Sequence, residues 1–223
     1  MQDPFWQELF LTVRLASTTT LLLLAIGLPM AHWLNQRRGP WAAALEALVG
    51  LPLVLPPTVL GFYLLILFSP NHWLGSLWEG CFGRSLPFSF EGLVAGSVLY
   101  SLPFAVQPFQ AGLRGVPGEV LDAAALDAHP LQVFWHVRLP VAARGILTGA
   151  ALSFAHTVGE FGVVLMLGGN IPGQTRVASV ALYDAVQSMD YETAHRFALV
   201  LLGFALVALT SVALVQRRAG LLS

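Results

Sequence analysis

Residues 15–34 read LASTTTLLLLAIGLPMAHWL and are closed by Asn35-Gln36-Arg37-Arg38-Gly39-Pro40. A helix of that length, apolar apart from short hydroxyl side chains and His32, crosses the roughly 30 Å hydrocarbon layer of a bilayer. The polar, basic and helix-breaking residues that follow mark where it leaves the membrane. Four further stretches read the same way: 42–68, interrupted by Pro52, Pro56 and Pro57; 91–113, which contains Pro103 and Pro108; 141–167; and 197–215. Prolines inside a span are tolerated where the freed carbonyls find partners in protein or in a water-lined cavity. The chain therefore reads as an all-α polytopic membrane protein of about five transmembrane helices, with a single transmembrane domain over residues 1–223.

Composition supports this. The chain is 56% hydrophobic and 10% charged, whereas soluble domains carry roughly 25% charged residues. The net charge is -1 and every basic residue is an Arg, so there is no basic surface suited to nucleic acid. Cys81 is the only cysteine. It excludes an intramolecular disulfide and is expected to act as an inert, buried small hydrophobe. Met1 to Glu8 has neither the basic segment nor the small-residue cleavage site of a secretory signal, so the first span is expected to be retained.

Orientation follows from the distribution of Arg, because short loops rich in basic residues stay in the cytoplasm. With the N-terminus outside, the inner segments hold Arg37, Arg38, Arg114, Arg138, Arg144, Arg217 and Arg218, and the outer side holds Arg14, Arg84, Arg176 and Arg196. This excess predicts N-out, C-in, with Trp73 and Trp78 as interfacial aromatics in an outer loop over 69–90. The half-polar stretch 177–186 has apolar residues at helical spacing and is expected to lie at the outer interface rather than cross.

The inner loop over 114–140 is the richest segment. Pro117 and Gly118 start a short helix with Glu119 and Asp122 near its positive end. Ala123 to Leu126 continues it, Asp127 to Pro130 breaks it, Leu131 to Val137 resumes it with Phe134 and Trp135, and Pro140 opens the next span. Small Ala residues beside a bend form a knob able to enter a partner's cleft; the alternative is an amphipathic connector at the membrane surface.

This loop resembles the coupling loop of binding-protein-dependent ABC importer permeases, whose pattern is Glu-Ala-Ala, three residues, Gly, about nine residues, then Ile-x-Leu-Pro. The chain offers Asp122-Ala123-Ala124 and Val137-Arg138-Leu139-Pro140. Asp122 stands in place of Glu, and the Gly position is filled by Asp127 or Ala128. Asp tolerates a left-handed backbone better than most residues, which makes Asp127 the easier substitute. A second likeness narrows the family. Gly50 to Leu65, Gly159-Glu160-Phe161-Gly162, Gly169 to Thr175 and Tyr183 to Gln187 are similar to segments of the molybdate permease subunits. The resemblance implies the type I importer (MetI-like) transmembrane fold in the cytoplasmic (inner) membrane of a prokaryote. It also implies a pair of such chains forming the pathway, cytoplasmic ABC ATPase subunits docked at Asp122, Ala123, Ala124, Leu126, Asp127, Pro130, Leu139 and Pro140, and a periplasmic or surface oxyanion-binding protein. ATP and Mg2+ would sit on the partner ATPase, with no cofactor or metal on this chain. Permeases for tungstate and for sulfate or thiosulfate share the pattern.

No Gly-x-x-x-x-Gly-Lys-Ser/Thr phosphate loop occurs in the sequence, so ATP would be hydrolysed elsewhere. Pro56, Pro57, Thr58, Gly159, Glu160, Gly162 and Asn170 are the candidate pathway or gate residues, because backbone N–H groups at broken helices bind anions without a fixed positive charge. His156 and Glu160, four apart, share a helix face and could serve a membrane-embedded enzyme. Their order is not that of a zinc protease and no third ligand is evident, so they read as a satisfied structural pair, with Glu160 hydrogen-bonding near a glycine-mediated helix contact. A self-sufficient secondary transporter would need a repeated half, and none is visible.

Overall fold

The protein, represented by a computed structural model, is described over residues 4–220, with side chains described to residue 214. Met1, Gln2 and Asp3 of the N-terminal stretch lie outside the described residues, as do the side chains of Arg217 and Arg218. Among the described residues all regular structure is helical.

The first helix, α1 (Pro4–Gln36), starts well before the expected span and carries Pro29 inside it. At 33 residues it is about 50 Å long, enough to cross a bilayer and project beyond it. The second expected span is broken into α2 (Pro40–Gly50) and α3 (Pro57–Phe68), which are joined through a 3-10 turn at Leu51–Leu53 and bent by 110°. Proline chemistry places the break: Pro52 sits in the 3-10 turn, Pro56 caps α3, and Pro57 occupies its first turn, where a missing N–H costs nothing.

The connection after α3 was expected to be a loop but contains α4 (Trp73–Phe82). Cys81, expected to be buried, is exposed on it, because a short helix outside the bundle has few neighbours to cover it. The next helix, α5 (Phe90–Arg114), runs within one residue of its expected span and is capped by Ser89, whose Oγ accepts from the Gly92 N–H at 3.1 Å.

The 114–140 loop folds as two short helices, α6 (Gly118–Ala125) and α7 (Pro130–Val133). Its exit differs from expectation. Instead of a fresh start at Pro140, the chain passes through a π turn at Phe134–Arg138 directly into α8 (Leu139–Gly159). Pro140 lacks an N–H and would crowd the carbonyl four residues back, and a locally widened turn accommodates both faults. Asp127 does not take the left-handed conformation; Phe88 and Met189 are the non-glycine residues with positive φ among the described residues. The bend is made instead by Pro130 at the first position of α7 and by a capping box. In that box the His129 side chain accepts from the Leu131 N–H and the Gln132 side chain accepts from the His129 N–H.

The fourth expected span is also broken. α8 stops at Glu160, whose backbone is extended at ψ 132°, and α9 (Gly162–Gly168) follows. The stretch expected at the interface is α10 (Ala178–Gln187), a helix of 10 residues, too short to cross. Ala178, Val180, Ala181 and Ala185 bury one face of it. The last helix, α11 (Tyr191–Gly220), begins before its expected span and leaves most of its apolar surface open.

The centre of the molecule is where α1, α5 and α8 pack. Leu23, Ala31, Leu34, Ala105, Val106, Phe109, Leu113 and Ala142 form its core. Helices α5 and α8 touch backbone to backbone at a glycine pair: a Cβ on Gly145 would lie 2.6 Å from the Gly112 Cα. In lipid, where apolar surface alone gives no drive to associate, such close contact is what holds helices together.

Candidate translocation and coupling sites

The two broken spans meet. α3 and α9 run against each other, and a Cβ on Gly162 would come within 2.6 Å of the Pro57 Cβ. Beside this crossing lies a cavity of about 450 Å3 lined by Pro57, Thr58, Tyr100, Ala155, His156, Gly159, Glu160, Phe161 and Gly162. Of the expected pathway residues, the fold gathers Pro57, Thr58, Gly159, Glu160 and Gly162 here, with Pro56 next in the chain. Asn170 stands apart. Its side chain bonds Asp184 (Nδ2 to Oδ1, 2.9 Å) and accepts from Arg176, which also lies 3.6 Å from Glu8 of α1 and from Asp184. Together with the Thr12 hydroxyl, which accepts from the Ala178 N–H at 2.8 Å, this cluster clamps α10 to α1.

His156 and Glu160 do not form a pair. The His156 Nδ1 lies 2.9 Å from Ser101 Oγ, Ser101 Oγ lies 2.9 Å from Thr157 Oγ1, and Thr157 Oγ1 lies 2.9 Å from the Ser153 carbonyl. The hydrogens in this relay can be assigned. A carbonyl only accepts, so Thr157 donates to Ser153; Thr157 then accepts from Ser101, and Ser101 accepts from His156 Nδ1–H. The ring is held between Phe104, stacked at 3.9 Å, and Tyr100 at 4.7 Å. With Nδ1 committed to Ser101, Nε2 is left for the cavity.

Glu160 is 3% exposed, and both carboxyl oxygens lack a hydrogen-bond partner, contrary to the expectation of a satisfied structural residue. The equally buried Ser97 hydroxyl approaches it without reaching hydrogen-bond geometry. Its backbone is held instead: the Ser179 hydroxyl of α10 donates to the Glu160 carbonyl. A buried carboxyl without partners is expensive, and such groups inside membranes mark functional positions by default. No group of three His, Cys, Asp or Glu side chains gathers around a common point among the described residues.

The 114–140 loop presents an apolar knob. Leu126 is 84% exposed, Leu131 and Trp135 are about as open as solvent-facing residues, and Asp122, Ala123, Asp127, Pro130 and Pro140 are exposed around them. Ala124 and Leu139 are half-buried and seat the loop on the bundle. An exposed leucine beside a bend has no stabilising role in the free chain and gains from burial against a partner.

Ser101, Thr157 and Tyr100 were not singled out from sequence. The signal available was the spacing of Tyr100-Ser101 within an otherwise apolar span, but a lone hydroxyl in a helix reads equally as a bond to its own backbone.

Residues 24–220 match the family described as binding-protein-dependent transport system inner membrane component. The chain belongs to this family. The permease is 51% identical over 186 residues to the molybdenum transport system permease protein ModB of Azotobacter vinelandii, covering 83% of this chain and 82% of that one. It is 33% identical to ModB of Escherichia coli K12, over 94% of this chain and 92% of the relative. The sulfate transport system permease protein CysT of Synechocystis is 33% identical over 96% of this chain and 78% of its own. Among solved structures, a bacterial ABC transporter that imports alginate superimposes with a TM-score of 0.74 at 16% identity, covering 98% of this permease and 79% of that chain. The MetNI methionine ABC transporter gives 0.67 at 17% identity, over 96% and 99%. The fold is that of the type I ABC importer permeases, and the chain is a multi-pass membrane permease subunit of an ABC importer.

Proposed function

We propose that this permease carries molybdate across the cytoplasmic membrane, driven by ATP hydrolysed on partner ABC ATPase subunits that bind ATP and Mg2+. The observation that carries the substrate is the 51% identity to the A. vinelandii molybdenum permease over most of both chains. The N-terminus is outside, as the Arg distribution indicates, so the exposed knob around Leu126 faces the cytoplasm and docks on the ATPase. Two copies of the chain form the pathway, and an oxyanion-binding protein delivers the anion from the other side. The cavity at the crossed broken helices lies on that pathway. Its useful groups are the first-turn N–H groups of α3 at Thr58 and the hydroxyl of Tyr100, which suit an oxyanion without trapping it through a fixed charge. On this reading the chain supplies the pathway, and the catalytic residues, ATP and Mg2+ sit on the partner ATPase.

The test is ATP-dependent uptake of labelled molybdate by proteoliposomes holding the permease, its ATPase and its binding protein. Uptake that survives excess sulfate supports the reading. Uptake of sulfate instead, with molybdate inert, overturns it in favour of the sulfate reading that the CysT likeness supports. Uptake by the permease alone, without ATP, overturns the ABC mechanism.

A further inference from the structure

The inner end of α1 meets the coupling loop across a second cavity of about 340 Å3, whose walls include His32, Gln36, Leu121, Asp122, Phe134 and Arg138. Two of these side chains carry a buried nitrogen without a partner: His32 Nδ1 and Arg138 Nε. The His32 tautomer can be assigned. Gln36 Nε2 is an amide donor and lies 2.8 Å from His32 Nε2, so Nε2 accepts and Nδ1 carries the hydrogen. The Arg138 Nε is always an N–H. Both unpartnered atoms are therefore donors, on side chains close enough to sense each other's charge.

Neither side chain is free to turn away without loss. The His32 ring packs on Phe134 at 4.6 Å, and Arg138 closes the π turn through which the coupling loop enters α8. Buried N–H groups without acceptors are rare because each forfeits its hydration. An acceptor that satisfies both, beside a guanidinium, is an anionic oxygen. Asp122 does not supply it: it is exposed at the cavity wall and forms no ion pair with Arg138 within 4.0 Å. Its negative charge selects against a multiply charged ion. Trp33 and Trp135, both exposed on the two elements that form the cavity, are the aromatic residues that settle at the headgroup level of a bilayer.

We propose that this cavity binds a singly charged phosphate group, either the phosphodiester of an acidic phospholipid or free dihydrogen phosphate. Its oxygens accept from His32 Nδ1–H and Arg138 Nε–H and tie the end of α1 to the root of the coupling loop. Substrate identity plays no part, so the molybdate reading could fail and leave this site standing.

The experiment uses the permease co-purified with its ATPase. In one arm the complex is reconstituted with equal phosphatidylglycerol and phosphatidylcholine, and the lipids retained on release from the membrane are counted by native mass spectrometry. In the other, delipidated complex is titrated with sodium phosphate against chloride of equal ionic strength, and the unfolding midpoint is followed. Preferential retention of phosphatidylglycerol assigns the site to lipid; a rise in midpoint with phosphate alone assigns it to the free ion. In either case Arg138→Gln should weaken the effect about tenfold, the loss of one charge-assisted hydrogen bond. His32→Phe, which keeps the ring contact with Phe134, should weaken it to a lesser degree and carries the test if the Arg138 variant does not assemble. No preference and no phosphate effect in the wild type, or an effect unchanged in both variants, overturns the proposal.

Discussion

At the scale of single residues, the relay through Ser101 makes a sharp demand. Its one hydrogen goes to Thr157 and its lone pair takes the His156 Nδ1–H, so Ser101→Ala strands a buried donor and leaves Thr157 without its own. The expected cost is about 1–3 kcal/mol, read as a lowered unfolding midpoint in detergent. Two glycines of one motif separate by packing. At Gly162 a Cβ would meet the Pro57 Cβ at 2.6 Å, whereas at Gly159 nothing lies within 4 Å. Gly162→Ala should therefore destabilise by about 1–3 kcal/mol through overpacking. Gly159→Ala, in a helical position, should be neutral or stabilising by up to about 1 kcal/mol. Equal effects from the two would show that the helix crossing is not as tight as described. The sequence marks Gly159-Glu160-Phe161-Gly162 as special but treats its glycines alike, because the neighbour that distinguishes them comes from α3, a hundred residues away in the chain.

Among the helices and loops, the 114–140 loop was legible in its two helices and the break between them. Its start at Pro117-Gly118 and its break before Pro130 follow from local chemistry that needs no partner: proline at a first turn and charge near a helix end. Its exit was not, since a π turn is a compromise between Pro140 and a continuous helix seated on the bundle. Leu126→Glu should release the ATPase from the purified complex while leaving membrane insertion unchanged, and Asp122→Lys should act in the same direction. Undiminished co-purification would refute the docking role. At the N-terminal end of α11, the Thr193 hydroxyl and then its backbone N–H hold the Asp190 carboxyl below the ordinary carboxylate range. A depressed folded pKa contributes stability that is present above the unfolded value near 3.8 and lost as pH falls through the lower folded value. Amide exchange at Thr193 should accordingly rise at low pH beyond its intrinsic trend, and Asp190→Ala should show that raised exchange already at neutral pH.

For the molecule as a whole, the proposed function requires motion delivered from the partner ATPase. The permease has no phosphate loop of its own, and Leu131 and Trp135 of the exposed knob lie on α7 and the π turn, which run unbroken into α8 and on to the cavity. On the proposed function, force on Leu131 and Trp135 is thereby carried to the place where α8 breaks. ATP turnover by the assembled complex should rise with the loaded binding protein, and Ser101→Ala should loosen that coupling while the ATPase stays bound. Turnover of the variant equal to wild type would separate the relay from transport.

The apolar runs, the two short helices of the 114–140 loop and the family likeness were readable along the chain, because partition into lipid and helix capping depend on neighbours within a few residues. The 110° break of the second span was half-readable: its prolines were visible, its angle was not. The end of α8 at Glu160, the lack of a hydrogen-bond partner for that buried carboxyl, the Ser101 relay and the clamp of Arg176 on Glu8 and Asp184 were unreadable. Each depends on a side chain from a distant element arriving at hydrogen-bonding or van der Waals range. The 114–140 loop remained a local feature, while the cavity beside Glu160 is a property of which broken helices come to cross.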